Sequence, residues 1–158
     1  MPMNWRMRRK ERAVSQADSE ELLRRAPVGR LGTSWQDEPY VVPVNFVYDE
    51  GRLYFHCAKE GRKMEYMLKN PRVCFEVDEF TGVKGDGRPC SLDACYTSVI
   101  AFGEAKLIES TEEKREKLTK LVAKYVEDSE PVFDEEELRK VSVVEVLVTK
   151  ISGKHCLP

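Results

Sequence analysis

The sequence predicts a mainly β protein of the α+β class, in which about six antiparallel strands close into a barrel with peripheral helices. Three observations support this fold class. Apolar residues alternate with a period of two, as in residues 72–78 (RVCFEVD). Turn residues such as Asp49-Glu50-Gly51 separate these stretches at spacings typical of hairpins. The helical patterns are few, and they do not alternate regularly with the strands as in a parallel sheet.

The individual elements follow from apolar periodicity and from turn and cap residues. Strands are predicted at residues 28–35, 40–48, 52–58, 72–78, 95–108 and 141–151. Helices are predicted at residues 15–25, 63–69, 111–125 and 134–140. Asp18 or Ser19 is expected to cap the first helix, and the spacing of Asp134 and Glu137 predicts a capping box.

Proline and glycine refine these predictions. Pro43 lacks a backbone donor, so its strand is expected at a sheet edge or a bulge. Residues 80–94 contain three glycines and a proline, and they are predicted to form a long loop. The strand at 95–108 is expected to bend at Gly103.

Length and composition limit the class of protein. At 158 residues, the chain is expected to form a single domain over residues 1–158 with a substantial core. The formal net charge of -2 does not favour general nucleic-acid binding. No apolar run approaches the roughly 20 residues that cross a bilayer, and no secretory signal is recognised. Five scattered cysteines favour reduced thiols and a cytoplasmic location.

Gly61-Arg62-Lys63 at a predicted helix start is a candidate phosphate site. The first-turn N–H groups of a helix lack intrahelical partners, and two cationic side chains add to the positive end of the helix dipole. From these residues alone, a solvated basic turn is an equally good interpretation, because the motif is short.

His56 shares a strand face with Tyr54 and Ala58, whereas Phe55 and Cys57 point the other way. A histidine there can donate a proton beside a redox cofactor, but its spacing alone favours a structural role. Ser98 has no G-x-S-x-G context and is not predicted to be a hydrolytic nucleophile. No metal site is predicted, because Cys90, Cys95, His155 and Cys156 lack the clustering of a structural zinc site.

Several segments, in order along nearly the whole chain, together resemble the FMN-binding split barrels of the pyridoxamine 5'-phosphate oxidase-like family. Within this family, the segments most resemble the branch of the nitroimidazole-resistance (Nim-type) flavoproteins. The matching segments are MRR at 7–9, PYVVPVNFVY at 39–48, LYFHCAKEGRKMEYM at 53–67, KNPRVCFEV at 69–77, YTSVIAFGEA at 96–105 and ISGK at 151–154.

The resemblance implies a six-stranded antiparallel split β-barrel that forms a homodimer, with two FMN sites at the subunit interface. Residues 42–45 would run along the isoalloxazine, 56–58 would line the ribityl side, and the helix start would take the phosphate. The cofactor-binding residues implied are Val42, Pro43, Val44, Asn45, His56, Cys57, Ala58, Arg62, Lys63, Ser98 and Val99. Family members often carry a basic residue where this chain has Thr97, so the resemblance implies either a weaker phosphate clamp or one completed by Arg8, Arg9 or another group.

The activity implied by the resemblance is that of an FMN-dependent oxidoreductase. It would pass electrons from a nicotinamide donor to a small aromatic or nitro acceptor, with His56 as the catalytic proton donor. Two alternatives remain open from the sequence. One is a pyridoxamine-phosphate-oxidase-type enzyme, and the other is a non-catalytic module that binds flavin, haem or a deazaflavin.

Overall fold

In the computed structural model, which describes residues 7–158, eight strands form one antiparallel sheet. The strands are β1 (Ala13–Val14), β2 (Gly29–Trp35), β3 (Glu38–Val44), β4 (Val47–Asp49), β5 (Arg52–Ala58), β6 (Arg72–Lys84), β7 (Asp93–Leu107) and β8 (Val141–Cys156). The α-helices are α1 (Gln16–Arg25), α2 (Arg62–Lys69), α3 (Thr111–Tyr125) and α4 (Glu135–Lys140). Within the described residues, no helix is long and apolar enough to cross a membrane.

The order of strands makes the sheet a split barrel. Neighbours follow the order β3-β2-β6-β7-β8-β5-β4, and β1 pairs with β8. The two ends of this order, β3 and β4, are consecutive in sequence and are joined by Asn45 and Phe46. The sheet therefore curls until its two ends meet at this crossing. The predicted antiparallel split barrel is confirmed.

The number of strands differs from the predicted six for two reasons. The stretch predicted as one strand at 40–48 is divided at Asn45 and Phe46, because its first part pairs with β2 and its second part with β5. The two-residue strand β1 carries too little pattern to be recognised from the sequence. The edge position predicted from Pro43 is correct, since β3 ends the strand order.

The interior of the barrel is apolar and closely packed. Phe46, Phe55 and Phe75 are fully buried, and the rings of Phe46 and Phe75 meet edge to face with centroids 4.7 Å apart. Met64 and Met67 of α2 belong to the same core cluster. A second, smaller cluster lies between the outer face of β5 and β8 and the helices α3 and α4; its members are Tyr54, Ile108, Leu118, Leu121, Leu138 and Val143.

The long loop predicted at residues 80–94 was wrong. β6 continues to Lys84 and β7 begins at Asp93, and the two remain paired as far as Lys84 and Asp93. Backbone pairing continues through the glycine-containing stretch because a bulge between Phe80 and Gly82 accommodates the irregularity. The strands extend past Cys156, the last paired residue of β8, so residues 80–94 project as a two-stranded arm.

Local signals at the helix ends and at one bend can be compared directly with the structure. Ser15, rather than Asp18 or Ser19, caps α1, and its hydroxyl accepts a 3.1 Å hydrogen bond from the Asp18 N–H. The capping box of Asp134 and Glu137 is confirmed. The bend at Gly103 is also confirmed, because the β7–β8 register shifts there.

Candidate functional site

The barrel is split along the seam between β3 and the second half of β5, and this seam is termed the groove. β4 pairs with β5 from Asp49↔Arg52 to Val47↔Tyr54, whereas β3 pairs with β2 along its whole length. Within the described residues, β3 has no ladder with the second half of β5. Backbone N–H and C=O groups therefore lack a strand partner along both sides of the opening. Unpaired edges of this kind need hydrogen bonds from water, another chain or a ligand.

Seven of the residues predicted to bind a cofactor border this opening. On one side lie Val42, Pro43 and Val44 of β3, followed by Asn45 at the crossing; on the other lie His56, Cys57 and Ala58 of β5. The two segments flank the β4–β5 hairpin, whose pairing brings the chain back alongside itself.

The start of α2 follows directly on the β5 side of the opening. Gly61 precedes the helix with a φ of 113°, a conformation that favours glycine, and no side chain caps the first turn. Within residues 7–158, neither Arg62 nor Lys63 takes part in an ion pair. The one acid of the helix, Glu65, is bound instead to Lys69 at 2.6 Å, and this contact lowers the Glu65 pKa. Two cations therefore remain available beside unpaired N–H groups.

The two cations contact aromatic rings on different strands, one on β3 and the other on β5. The Arg62 guanidinium lies 5.5 Å from the centroid of the Tyr40 ring on β3. The Lys63 ammonium lies 5.9 Å from the centroid of the Phe55 ring on β5. Burial raises the pKa of the Cys57 thiol, and the nearby Lys63 charge opposes that rise. The basic pair thus bridges the two strands at one end of the groove.

The side chains of three predicted ligand residues lie inside the barrel. Val44 and Cys57 are 8% exposed and Val99 is fully buried, and all three belong to the main core cluster. Of these three residues, only the backbone groups remain for contact with a molecule outside the barrel wall. The Cys57 side chain therefore acts as a small buried hydrophobe.

His56 lies on the outer face of β5 and is exposed, opposite Val143 of β8. It borders a cleft of about 410 Å³ between β5 and the helices α3 and α4. The other lining residues are Leu118, Leu121, Val122, Phe133, Glu137, Lys140 and Val141. A histidine at the mouth of an apolar cleft next to the groove can exchange a proton with a bound molecule.

Ser98 and Val99 lie away from the groove within one chain. They belong to β7, which is separated from β3 by β2 and β6, and from β5 by β8. Ser98 is on the outer face, opposite Lys154 of β8. The structure therefore does not bring this predicted pair together with the other site residues in a single copy of the chain.

Tyr125 and Lys124, which the sequence did not indicate as site residues, stabilise the connection between β3 and β4 at residues 45 and 46. The Tyr125 hydroxyl accepts a 2.9 Å hydrogen bond from the Phe46 N–H and donates to the Pro27 carbonyl at 2.8 Å. The Lys124 ammonium donates to the Ala26 carbonyl at 2.8 Å and lies 3.8 Å from the centroid of the Phe46 ring. Burial lowers the Lys124 pKa to about 8. No local sequence signal reveals contacts across such separations.

Together, the fold and the groove define a class: an antiparallel split barrel whose open seam ends at a basic helix start. The model of the family described as Pyridoxamine 5'-phosphate oxidase matches residues 15–155. The chain belongs to this family, which confirms the resemblance found in the sequence.

The sequence identities to individual proteins are low. A 69-residue segment is 29% identical to the uncharacterized protein RA0666 of Rhizobium meliloti (strain 1021); it spans 44% of this chain and 45% of that protein. A candidate 5-nitroimidazole antibiotic resistance protein from Bacteroides thetaiotaomicron VPI-5482 has a solved structure with 30% identity and a TM-score of 0.78. That match covers 90% of this chain and 85% of the other.

Two further solved structures share the fold. A FAD-binding protein (mll6688) from Mesorhizobium loti is 26% identical, with a TM-score of 0.69 and coverage of 92% of this chain and 97% of that chain. The flavocytochrome Anf3 from Azotobacter vinelandii has a TM-score of 0.86 over all of this chain and 75% of its own length. Its identity of 22% supports the fold alone.

Proposed function

We propose that the chain is an FMN-binding flavoprotein, folded as a single domain over residues 1–158, that acts as an oxidoreductase. In this proposal it passes electrons from a nicotinamide donor to a small aromatic or nitro acceptor. Within residues 7–158, the observation that carries the proposal is the unpaired seam between β3 and β5, which ends at two cations of the α2 start that make no ion pair. The FAD-binding and nitroimidazole-resistance relatives support the flavin and the acceptor class.

Arg62 and Lys63 would hold the phosphate. Charge-assisted hydrogen bonds from a guanidinium and an ammonium, together with first-turn N–H groups, suit a dianionic oxygen cluster. The helix start offers one such cluster of donors, so the mononucleotide FMN is proposed rather than a dinucleotide. Tyr40 and Phe55 hold the two cations at the end of the groove before any ligand arrives.

Backbone groups along the seam would orient the flavin ring. The free edge of β3 from Val42 to Asn45 offers N–H donors and C=O acceptors to the polar rim of an isoalloxazine, except at Pro43, which has no N–H. When bound, the flavin supplies the hydride and electron chemistry, while the protein sets orientation and electrostatics. The buried side chains of Val44 on β3 and Cys57 on β5 anchor both sides of the seam in the core.

A homodimer is proposed because Ser98 and Val99 reach a flavin only from a second copy. The arm formed by residues 80–94 supports this assembly, since it carries three large apolar side chains that are more than half exposed. These residues are Phe80, Val83 and Leu92. Exposed apolar residues grouped on a projecting ribbon favour burial against a partner. Light scattering should give twice the chain mass, and Val83→Asp with Leu92→Asp should shift it toward the monomer.

His56 is proposed as the proton donor to the acceptor. Purified protein would be reduced anaerobically with NADH or NADPH and reoxidised with a nitroimidazole, following flavin absorbance. His56→Ala should slow reoxidation while flavin stays bound. Equal rates in both proteins would remove His56 from the chemistry. Failure of both nicotinamide donors to reduce a flavin-loaded protein would contradict the oxidoreductase and favour a binding module.

A further inference from the structure

The cleft beside His56 is bounded by β5, by α3 and by the segment that leads into α4. On its floor, His56 of β5 stands opposite Val143 of β8 on the outer face of the sheet. Phe133 forms one side, and the Arg115 guanidinium of α3 holds it there by donating to the Phe133 carbonyl. The volume of about 410 Å³ suits a small molecule. The wall supplied by α3 consists of three apolar residues that share one face of the helix: Leu118, Leu121 and Val122.

The charged side chains that line the cleft already have partners. The Glu137 carboxylate accepts a 3.0 Å hydrogen bond from the Asp134 N–H in the capping box. The Lys140 ammonium pairs with Glu136 at 2.6 Å. Within residues 7–158, His56 takes part in no ion pair and no side-chain hydrogen bond. The imidazole of His56 is therefore the polar group that remains available to an occupant of the cleft.

The cleft and the start of α2 differ in the charge that they accept. At the start of α2, Arg62 and Lys63 make no ion pair within the described residues, and they favour an anion. The cleft lining carries one acid and one lysine, whose formal charges cancel, and its other members besides His56 are apolar. A phosphate or carboxylate that entered the cleft would lose water without gaining an unpaired cation. The cleft therefore favours a neutral molecule.

His56 connects the cleft with the groove. It follows Tyr54, the last residue of β5 that pairs with β4, so it belongs to the half of β5 that borders the groove. The same residue lines the cleft. A ring held in the cleft therefore lies beside the strand edge where the flavin is proposed to bind.

We propose that this cleft binds the electron acceptor and restricts it to neutral aromatic molecules with a single ring. His56 donates a hydrogen bond to a polar substituent of the ring, while Val122 and Phe133 contact the ring and determine specificity. Phosphorylated acceptors such as pyridoxamine 5'-phosphate are excluded, because the lysine of the lining is paired with Glu136. The assignment as acceptor site rests on the proposed function, whereas the binding of a neutral ring does not.

Calorimetric titration of the purified protein with nitrobenzene and 4-nitrobenzoate, with no electron donor present, tests the cleft without turnover. The two probes share a ring and a nitro group and differ by one carboxylate. We expect nitrobenzene to bind, and 4-nitrobenzoate to bind at least about tenfold more weakly, because its carboxylate finds no unpaired cation. Failure of nitrobenzene to bind at millimolar concentration, or equal affinity for the two probes, would overturn the proposal.

Substitutions at Val122 locate the bound probe. Val122→Trp fills the cleft and should weaken nitrobenzene binding at least about tenfold. Ala123→Trp, at the exposed next position of α3, is the matched control and should leave the affinity unchanged. Val122→Lys places a cation in the cleft and should reverse the preference in favour of 4-nitrobenzoate, a result that loss of folding cannot produce. Unchanged nitrobenzene affinity in Val122→Trp, or an unchanged preference in Val122→Lys, would contradict the assignment of the cleft.

FMN binding is titrated in parallel, so that the two proposals fail separately. Selective nitrobenzene binding by a chain that does not bind FMN would contradict the proposed function and support the cleft as a site for neutral rings. FMN binding without nitrobenzene binding would overturn the cleft and leave the flavin site standing.

Discussion

The two sides of the barrel differ in how completely their backbone groups are paired. On the β6–β7–β8 side, residues Tyr96 to Glu104 of β7 have a strand partner on both flanks. On the split side, β3 is paired on one flank only, and β5 loses its β4 partner after Tyr54. The paired side is a closed scaffold, whereas the split side keeps hydrogen-bonding groups free. Residues on the paired side stabilise the fold, whereas the free backbone groups on the split side are available to a ligand.

The largest effect on stability is expected on the paired side. Phe75→Ala removes a fully buried ring that packs against Phe46, and it should lower the free energy of unfolding by about 3–5 kcal/mol. Urea denaturation measures this change. Val132→Ala is the control, because Val132 is 90% exposed and its truncation should change stability by less than about 0.5 kcal/mol. Similar losses for both variants would contradict this assignment of the core.

The next effect concerns ligand binding on the split side. Lys63→Ala should weaken FMN binding by ~1.5–3 kcal/mol through the loss of a charge-assisted contact, with little change in unfolding. Flavin fluorescence titration measures the affinity. Lys69→Ala, at the other end of the same helix, should retain wild-type affinity because Lys69 is engaged by Glu65. Unchanged affinity in Lys63→Ala would move the phosphate away from the start of α2.

Sequence reasoning recovered the local part of the fold well. The hairpin at Asp49 to Gly51, the capping box of Asp134 and the bend at Gly103 each depend on nearby residues, and each is present. The arm was mistaken for a loop because glycine content masks strand pairing that a partner strand imposes. A ladder partner can override weak intrinsic strand preference.

Part of the candidate site was also predictable, because that part depends on nearby residues. Arg62 and Lys63 could be identified because they lie at a predicted helix start. Residues 42–58 could be identified because they surround a predicted hairpin. The support that Tyr125 gives to Phe46 spans 79 residues of sequence and leaves no periodic trace. The burial of Val99 and the outward face of Ser98 do follow from strand alternation, but the distance of β7 from the split depends on sheet order.

A smaller effect on stability is expected at Phe46, where the chain crosses between β3 and β4. Tyr125→Phe removes the hydroxyl that accepts from the Phe46 N–H and donates to Pro27, and it should lower the free energy of unfolding by about 1–2 kcal/mol. It should also loosen the end of the groove and weaken flavin binding. Thermal unfolding and flavin titration are the two measurements. Tyr96→Phe, on the paired side, is the control; an equal response in both variants would deny Tyr125 this role.

The smallest effect is a pH dependence at Lys124. Its pKa is lowered to about 8 in the folded chain from an ordinary value of 10.5, so the unfolded chain binds more protons between those values. Stability relative to Lys124→Met should therefore rise as pH increases from about 8 to 10.5, and stay constant below that window. Because the amine is only partly buried and solvent screens its charge, the change should be below about 1 kcal/mol. A flat difference across this range would place the amine in solvent.

The central claim is that the start of α2 holds a phosphate while the seam between β3 and β5 holds the attached ring. Parallel titrations of FMN and riboflavin, which differ only by the phosphate, test it most directly. Wild type is predicted to bind FMN far more tightly than riboflavin, and Arg62→Gln/Lys63→Gln is predicted to abolish that preference while still binding riboflavin. Equal affinity of wild type for the two flavins, or an undiminished preference in the double variant, would contradict the account.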